Sequence, residues 1–325
     1  MALFNVEKLT KGILDGNRHL TAKAITLLES KKAEHKGLAE LLLNNVIKHS
    51  GNSLRIGISG TPGVGKSTFI EALGMDLIKR GHKVAVLAID PSSPLTGGSI
   101  MGDKTRMFEL SANENAFIRP SPSGGTLGGV ARKTREASLV IEASGYDIIL
   151  IETVGVGQSE IICSSMVDIF LMLQLPNAGD ELQGVKKGIL ELADIICVNK
   201  TDGDYITAAK HTKAQLESAL HLVNHKEVPE ILTISSLHKH GIKETIERVF
   251  ALAEVQKKSG LYKEKRINQS EHWFKEELDH QIMEHLNSKK STVKMLEQLT
   301  QKVRNGQIAG SVAAKEIAHQ LFKNL

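Results

Sequence analysis

Gly60, Thr61, Pro62, Gly63, Val64, Gly65, Lys66, Ser67 and Thr68 constrain this chain more than any other segment. They fill every fixed position of the pattern G-x-x-x-x-G-K-[ST]. The apolar run Leu54–Ser59 precedes them and reads as a strand; Phe69–Arg80 follows and reads as a helix closed by Gly81. Strand, glycine-rich loop and helix in that order is the setting a phosphate-binding loop requires. Glycines let backbone N–H groups turn inward around phosphate oxygens, and the helix N-terminus adds partial positive charge. In such a loop Lys66 reaches the β- and γ-phosphates and Ser67 offers its hydroxyl to Mg2+. The expectation is an α/β P-loop NTPase domain, its mainly parallel sheet flanked by helices, that binds a nucleoside triphosphate.

A second motif selects the base. Asn199, Lys200, Thr201 and Asp202 end another apolar strand, Ile195–Asn199, and match N-K-x-D. The Asp202 carboxylate suits guanine, which offers N1–H and an exocyclic amine as paired donors, whereas adenine has no such pair. A site built around that acceptor rejects the wrong base because a buried charge is left without its donors. GTP is therefore expected over ATP. Ser235, Ser236 and Leu237, after the short apolar run ending at Ile234, are candidates for a backbone contact to the guanine O6. A plain loop and helix cap before His238, Lys239, His240 and Gly241 is the competing reading of that stretch.

Between the two motifs lies a set of candidate switch elements. Asp147–Glu152 reads as a buried strand ending in a carboxylate, followed by Thr153, Val154 and Gly155. Glu152 is placed to hold a metal-bound water and Gly155 to present its N–H to the γ-phosphate. Val156 stands where a water-orienting Gln is found in Ras-type GTPases, and Gln158 is shifted from that position, so slow intrinsic hydrolysis is expected. A further strand, Lys83–Asp90, opens onto a Gly- and Ser-rich segment through Arg106, and Asp90 or Asp103 in it could approach Mg2+ directly or through water. A solvated loop in which Asp103 caps a helix is the alternative. The second glycine-rich stretch, Ser123–Gly129, lacks a following Lys-Ser pair and reads as a hinge or helix entry.

Several of these segments are long and unusual: Gly60–Thr68, Asp90–Ser93, Gly98–Arg106, Glu152–Glu160, Gly179–Gly184 and Asn199–Asp204. Through them the chain resembles the MeaB/ArgK GTPases, of the same SIMIBI class as the signal-recognition and metallochaperone GTPases. The resemblance implies a homodimeric G-protein chaperone of an adenosylcobalamin-dependent acyl-CoA mutase, most often methylmalonyl-CoA mutase. Such a protein gates cofactor delivery and protects the mutase from inactivation. Gly179–Lys187 would be an extra switch loop, with Lys186 and Lys187 either reaching the nucleotide or standing as a solvated pair. The hydrolytic set expected here is Lys66, Asp90, Asp103, Glu152 and Gly155, with Mg2+ held by Ser67, Asp90, Asp103 and Glu152, and GTP or GDP bound. A metal-delivery GTPase and a kinase linked to amino-acid transport, an older label for the family, stand as alternatives. The first would want a Cys- or His-rich site, and the chain has no CxxC; the second lacks a visible phosphoacceptor.

Composition sets limits. The 325 residues allow one large α/β domain with helical extensions: an N-terminal extension over 1–50, a GTPase domain over 51–256 and a C-terminal dimerisation extension over 257–325. No uncharged apolar stretch reaches the ~18 residues of a membrane span, and the N-terminus lacks the pattern of a secretory signal. A cytoplasmic protein is expected, with no membrane partner. A net charge of +4 spread along the chain and 4% aromatics argue against a nucleic-acid surface. Cys163 and Cys197 lie in apolar surroundings and read as buried thiols in a reducing compartment. Leu20–Lys48 reads as a helical hairpin, and Lys257–Gln269, polar and charged, as a linker. Beyond it Trp273, Phe274, Leu278, Ile282 and Leu286 share one face of an amphipathic helix. That piece suits a dimer contact, or packing on its own GTPase domain.

Overall fold

The computed structural model describes residues 4–89, 107–120, 127–153, 158–176, 187–221, 228–288 and 290–322. Helices α1 (Val6–Leu14), α2 (Arg18–Glu29) and α3 (Ala33–Val46) lead into β1 (Leu54–Gly60) and α4 (Lys66–Lys79). Next come β2 (Val84–Ile89), α5 (Phe108–Ala112), β3 (Ala116–Arg119), α6 (Leu127–Ala143) and β4 (Ile148–Thr153). They are followed by α7 (Gln158–Ser164), β5 (Ile169–Gln174), α8 (Lys187–Leu190), β6 (Ile195–Val198), α9 (Ile206–His221) and β7 (Glu230–Thr233). The described chain closes with α10 (Ile242–Ser259), α11 (Leu261–Ser288), α12 (Lys290–Arg304) and α13 (Gly310–Phe322). The chain divides into two compact units, Met1–Lys263 and Glu264–Leu325.

The first unit is built on a seven-stranded parallel sheet in the order β3-β2-β4-β1-β5-β6-β7. A parallel sheet needs crossover connections, and these cover both its faces with helices. Both faces must then be apolar, which is why β2, β4, β5 and β6 read as near-continuous apolar runs. Alternate residues divide between two cores. Ile149, Ile151, Phe170, Met172, Ile196 and Val198 pack with Ile13, Ile25, Leu28 and Leu42 of the N-terminal helices. Ile56, Ile58, Leu150, Leu171 and Leu173 pack with Phe69, Ile70 and Leu73 of α4 and with Ile246 and Val249 of α10. Because every strand runs the same way, the ends of β1, β4, β5, β6 and β7 open at one edge, where ligands bind in sheets of this kind.

The N-terminal region holds the expected helical pair, α2 and α3, and adds α1. Asn5 and Asn17 cap α1 and α2 by accepting from the amides of Lys8 and Leu20 at 2.8 and 3.0 Å. The stretch Lys257–Gln269 is helix, contrary to its reading as a linker. Helix α10 continues to Ser259, Gly260 closes it at φ 81°, and α11 begins at the next residue. Lys, Glu and Arg are good helix formers, so a charged stretch between two helical segments stays helical, and glycine supplies the left-handed cap between them.

In the second unit Thr292, Leu299 and Ala313 are buried. Helix α11 carries no buried residue along its length. Phe274 is 66% exposed, and Leu278 and Ile282 are each 47% exposed. Of the apolar stripe anticipated on this helix, Phe274, Leu278 and Ile282 are exposed, while Trp273 and Leu286 are half-buried.

Candidate functional site

The phosphate loop joins the end of β1 to the start of α4, and its glycines are there for stated reasons. Gly60 has φ 150°, and a Cβ on it would lie 2.6 Å from the Leu173 carbonyl oxygen and 2.9 Å from Val64. Gly65, at φ 96°, caps α4, and a Cβ there would lie 2.8 Å from Asn199 Nδ2. Both positions combine a conformation that L side chains avoid with no room for one. Val64 is fully buried and anchors the loop, while Pro62 and Gly63 are exposed and Thr61 is half-buried. Helix α4 starts at Lys66, three residues earlier than the pattern of apolar residues predicts, so Lys66, Ser67 and Thr68 form its first turn. The N–H groups of a first turn have no partner within their own helix, which leaves them to an anion.

Lys66 folds back over the loop. Its Nζ donates to the carbonyl oxygens of Gly60 at 2.7 Å and Thr61 at 3.2 Å. Burial lowers its pKa from 10.5, and the negative charges of Glu152 and Glu160 oppose that shift. An ammonium held by two carbonyls and faced by carboxylates is poised to exchange them for phosphate oxygens.

The other half of the site comes from the ends of β6 and β7. Asn199, only 1% exposed, donates from Nδ2 to the Val64 carbonyl at 2.8 Å. Its Oδ1 accepts from the Ser236 amide at 3.0 Å and the Ser236 hydroxyl at 2.8 Å. Its side chain thus ties the phosphate loop, 135 residues before it in sequence, to the loop after β7. Asp202, half-buried, accepts from the Ser235 hydroxyl. Lys200 sits in the left-handed region at φ 60° with its side chain exposed, and Leu237 is 71% exposed. The loop carrying Ser235, Ser236 and Leu237 is pinned by reciprocal backbone bonds between Ser235 and His240, both 3.1 Å. One edge of the sheet therefore brings together a phosphate-type loop and a fixed carboxylate, the two parts a guanine nucleotide needs.

Of the remaining expected residues, Glu152 is half-buried near the end of β4. Asp90, Asp103 and Gly155 lie outside the described residues, as does Gly179–Lys186 of the expected extra switch loop. The stretch read as a hinge or helix entry reaches α6 at Leu127. Glu160, Ser59 and Thr153, for which the sequence predicts no role, meet beside the phosphate loop. Thr153 and Glu160 belong to the distinctive segment Glu152–Glu160, but nothing local to it signals their meeting with Ser59. Cys163 and Cys197 are free, buried thiols; burial pushes Cys163 up and raises Cys197 to about 12. Among the described residues no group of three or more His, Cys, Asp and Glu is placed to hold a metal ion, and no helix is long and apolar enough to cross a membrane.

Residues 21–291 match the model of a family described as methylmalonyl-CoA mutase-associated GTPase MeaB. The chain belongs to the MeaB GTPase family. A probable GTPase of Mycobacterium tuberculosis is 46% identical over 315 residues, covering 96% of this chain and 94% of that protein. The GTPase ArgK of Escherichia coli is 44% identical over 306 residues, covering 93% and 92%. A mitochondrial methylmalonic aciduria type A homolog of Mus musculus is 44% identical over 332 residues, covering 98% and 80%. A crystal structure described as a LAO/AO transport system kinase superposes with a TM-score of 0.79 at 36% identity, covering 98% of this chain and 99% of that one. As a MeaB-family protein the chain is a GTPase on a P-loop fold, and the nucleotide implied for it is GTP or GDP.

Proposed function

We propose that this GTPase is a chaperone of an adenosylcobalamin-dependent acyl-CoA mutase, methylmalonyl-CoA mutase first among them, and that its GTP cycle gates cofactor delivery to the mutase and protects it. The observation that carries this reading is the match to a mutase-associated family over residues 21–291, supported by the likeness to a protein named for methylmalonic aciduria. The proposed setting is the cytoplasm. The proposed oligomer is a homodimer formed through residues 257–325, whose α11 stripe of Phe274, Leu278 and Ile282 is exposed in one chain.

In the site, Lys66 leaves the carbonyls of Gly60 and Thr61 for the β- and γ-phosphate oxygens, and the amides of Gly63 through Thr68 surround the phosphates. Asp202, steadied by Ser235, accepts from guanine N1–H and the exocyclic amine. The loop at Ser235, Ser236 and Leu237 covers the O6 edge, and Asn199 keeps it in register with the phosphate loop. Ser67 and Glu152 fit a hard cation, since both offer oxygen at the edge of the phosphate loop; Asp90 and Asp103 complete the proposed Mg2+ set, and Gly155 meets the γ-phosphate. When bound, Mg2+ neutralises charge that develops on the phosphates. Hydrolysis on this scheme depends on positioning and electrostatics, with no covalent intermediate on the protein.

Sedimentation of the purified protein with methylmalonyl-CoA mutase, in GDP and in a non-hydrolysable GTP analogue, tests the partner. A complex whose strength depends on the nucleotide is expected. Independent sedimentation in both states, with GTP hydrolysis intact, would remove the mutase and return attention to metal delivery or transport-linked phosphorylation.

A further inference from the structure

Beside the phosphate loop lies a carboxylate that the scheme above does not use. Glu160, in the first turn of α7, is 2% exposed. Its Oε1 accepts from the Ser59 hydroxyl at 3.1 Å, and its Oε2 accepts from the Ser159 hydroxyl at 3.1 Å. The Thr153 hydroxyl donates to Ser59 Oγ at 2.9 Å and lies 3.5 Å from Glu160 Oε1. An ionised carboxylate only accepts, so the direction of this chain is fixed: Thr153 donates to Ser59, and Ser59 donates to Glu160. A charge buried this deeply is tolerated only where it is hydrogen-bonded and faced by opposite charge. The hydroxyls supply the first condition, and Lys66 supplies the second across the phosphate loop.

The positions of these partners give the cluster its meaning. Ser59 directly precedes Gly60, whose carbonyl holds Lys66. Thr153 directly follows Glu152, at the end of the neighbouring strand. Ile58 and Glu152 are paired in the β1–β4 register, so the strand ends are already side by side, and the cluster ties them one residue further on. We propose that Glu160 is a positioning residue for GTP hydrolysis: by clamping Ser59 to Thr153 it fixes the spacing between the Lys66-bearing loop and Glu152. The proposal rests on the reading that Lys66 and Glu152 serve the triphosphate and its metal.

The test is Glu160→Gln, which keeps the volume and one acceptor but removes the charge and introduces two donors facing hydroxyls. Single-turnover hydrolysis of bound GTP is expected to fall about 10- to 100-fold, the scale of a small misplacement of reacting groups. GDP affinity is expected to change by less than about threefold, because the loss falls on the rate and not on uniform binding. Ser59→Ala and Thr153→Val, each removing one link of the chain, are expected to give the same split in smaller measure, and they decide the matter if Glu160→Gln does not fold. A wild-type rate in all three variants would overturn the proposal. So would a loss of affinity that tracks the loss of rate, since that is what a merely structural role produces. Lys66→Ala serves as the control: if it binds GTP like the wild type, the site reading fails; if it does not, while the Glu160 and Thr153 variants hydrolyse normally, only the positioning role fails.

Discussion

The nucleotide-bearing unit and the C-terminal unit carry similar apolar periodicity and put it to different use. In Met1–Lys263 the apolar residues of strands and helices close on one another, and Ile25, Leu27, Ile56, Ile58 and Phe69 retain at most 1% of their exposure. In Glu264–Leu325 the stripe on α11 has the spacing of a buried helix face, yet Phe274, Leu278 and Ile282 remain open. Periodicity therefore tells which residues share a face and not what covers it. For the first unit the cover is the rest of the same unit. For the second, the proposed cover is another copy.

Substitutions can break or sharpen that contrast. The largest effect is expected at the phosphate loop, where Lys66→Ala should lower GTP hydrolysis by about 10^3-fold, the order seen when one preorganised charge-stabilising group is lost; single-turnover kinetics would read it. Next is Asp202→Asn, expected to lower GTP affinity on the order of 10^2-fold and to reverse the preference toward xanthosine triphosphate, read by competition binding. Preference for GTP left unchanged would show that Asp202 does not read the base.

Smaller effects separate the two units directly. Leu28→Ala, inside the first unit, should cost about 2–5 kcal/mol in chemical denaturation. Leu278→Ala should change the stability of a single chain by no more than about 0.5 kcal/mol, as an exposed substitution does, while weakening self-association measured by sedimentation equilibrium. Equal costs at the two positions would erase the contrast.

The smallest effect is a pH dependence set by Lys66, whose pKa is lowered from 10.5 chiefly by burial. Its contact with phosphate needs the ammonium, so GTP affinity should be full below the lowered pKa and fall as pH rises through it, before a free lysine would titrate. Stability of the nucleotide-free protein carries the opposite sign. The buried ammonium is a cost at neutral pH, and that cost is relieved as Lys66 deprotonates between its lowered pKa and 10.5. Lys66→Met should abolish both trends.

Much of the first unit was legible because its signals are local. The strand before Gly60, the glycine pattern and the position of Asn199 after an apolar run each depend on a few consecutive residues. The start of α4 is hidden because Lys66, Ser67 and Thr68 carry no apolar periodicity, although the helix needs their backbone and not their side chains. Helix α1 is hard to see in the sequence because its 9 residues give a periodic pattern little room, although Asn5 caps its start and Gly16, at φ 70°, follows its end. The charged stretch at Lys257–Gln269 resembles a linker by polarity alone, but its residue types favour helix. The Glu160 cluster was out of reach, since Ser59 and Glu160 are 101 residues apart and meet only once β1, β4 and α7 are assembled. The N-K-x-D motif announced a base site, but nothing in it announced that the Asn199 amide is taken up in bonds to Val64 and Ser236.

The most direct measurement is steady-state GTP hydrolysis by the purified protein, alone and with an adenosylcobalamin-dependent methylmalonyl-CoA mutase. Slow turnover alone that rises severalfold as the mutase is added is the expected result. A rate that stays the same at saturating mutase, with GTP still hydrolysed, would contradict the chaperone account while leaving the GTPase in place.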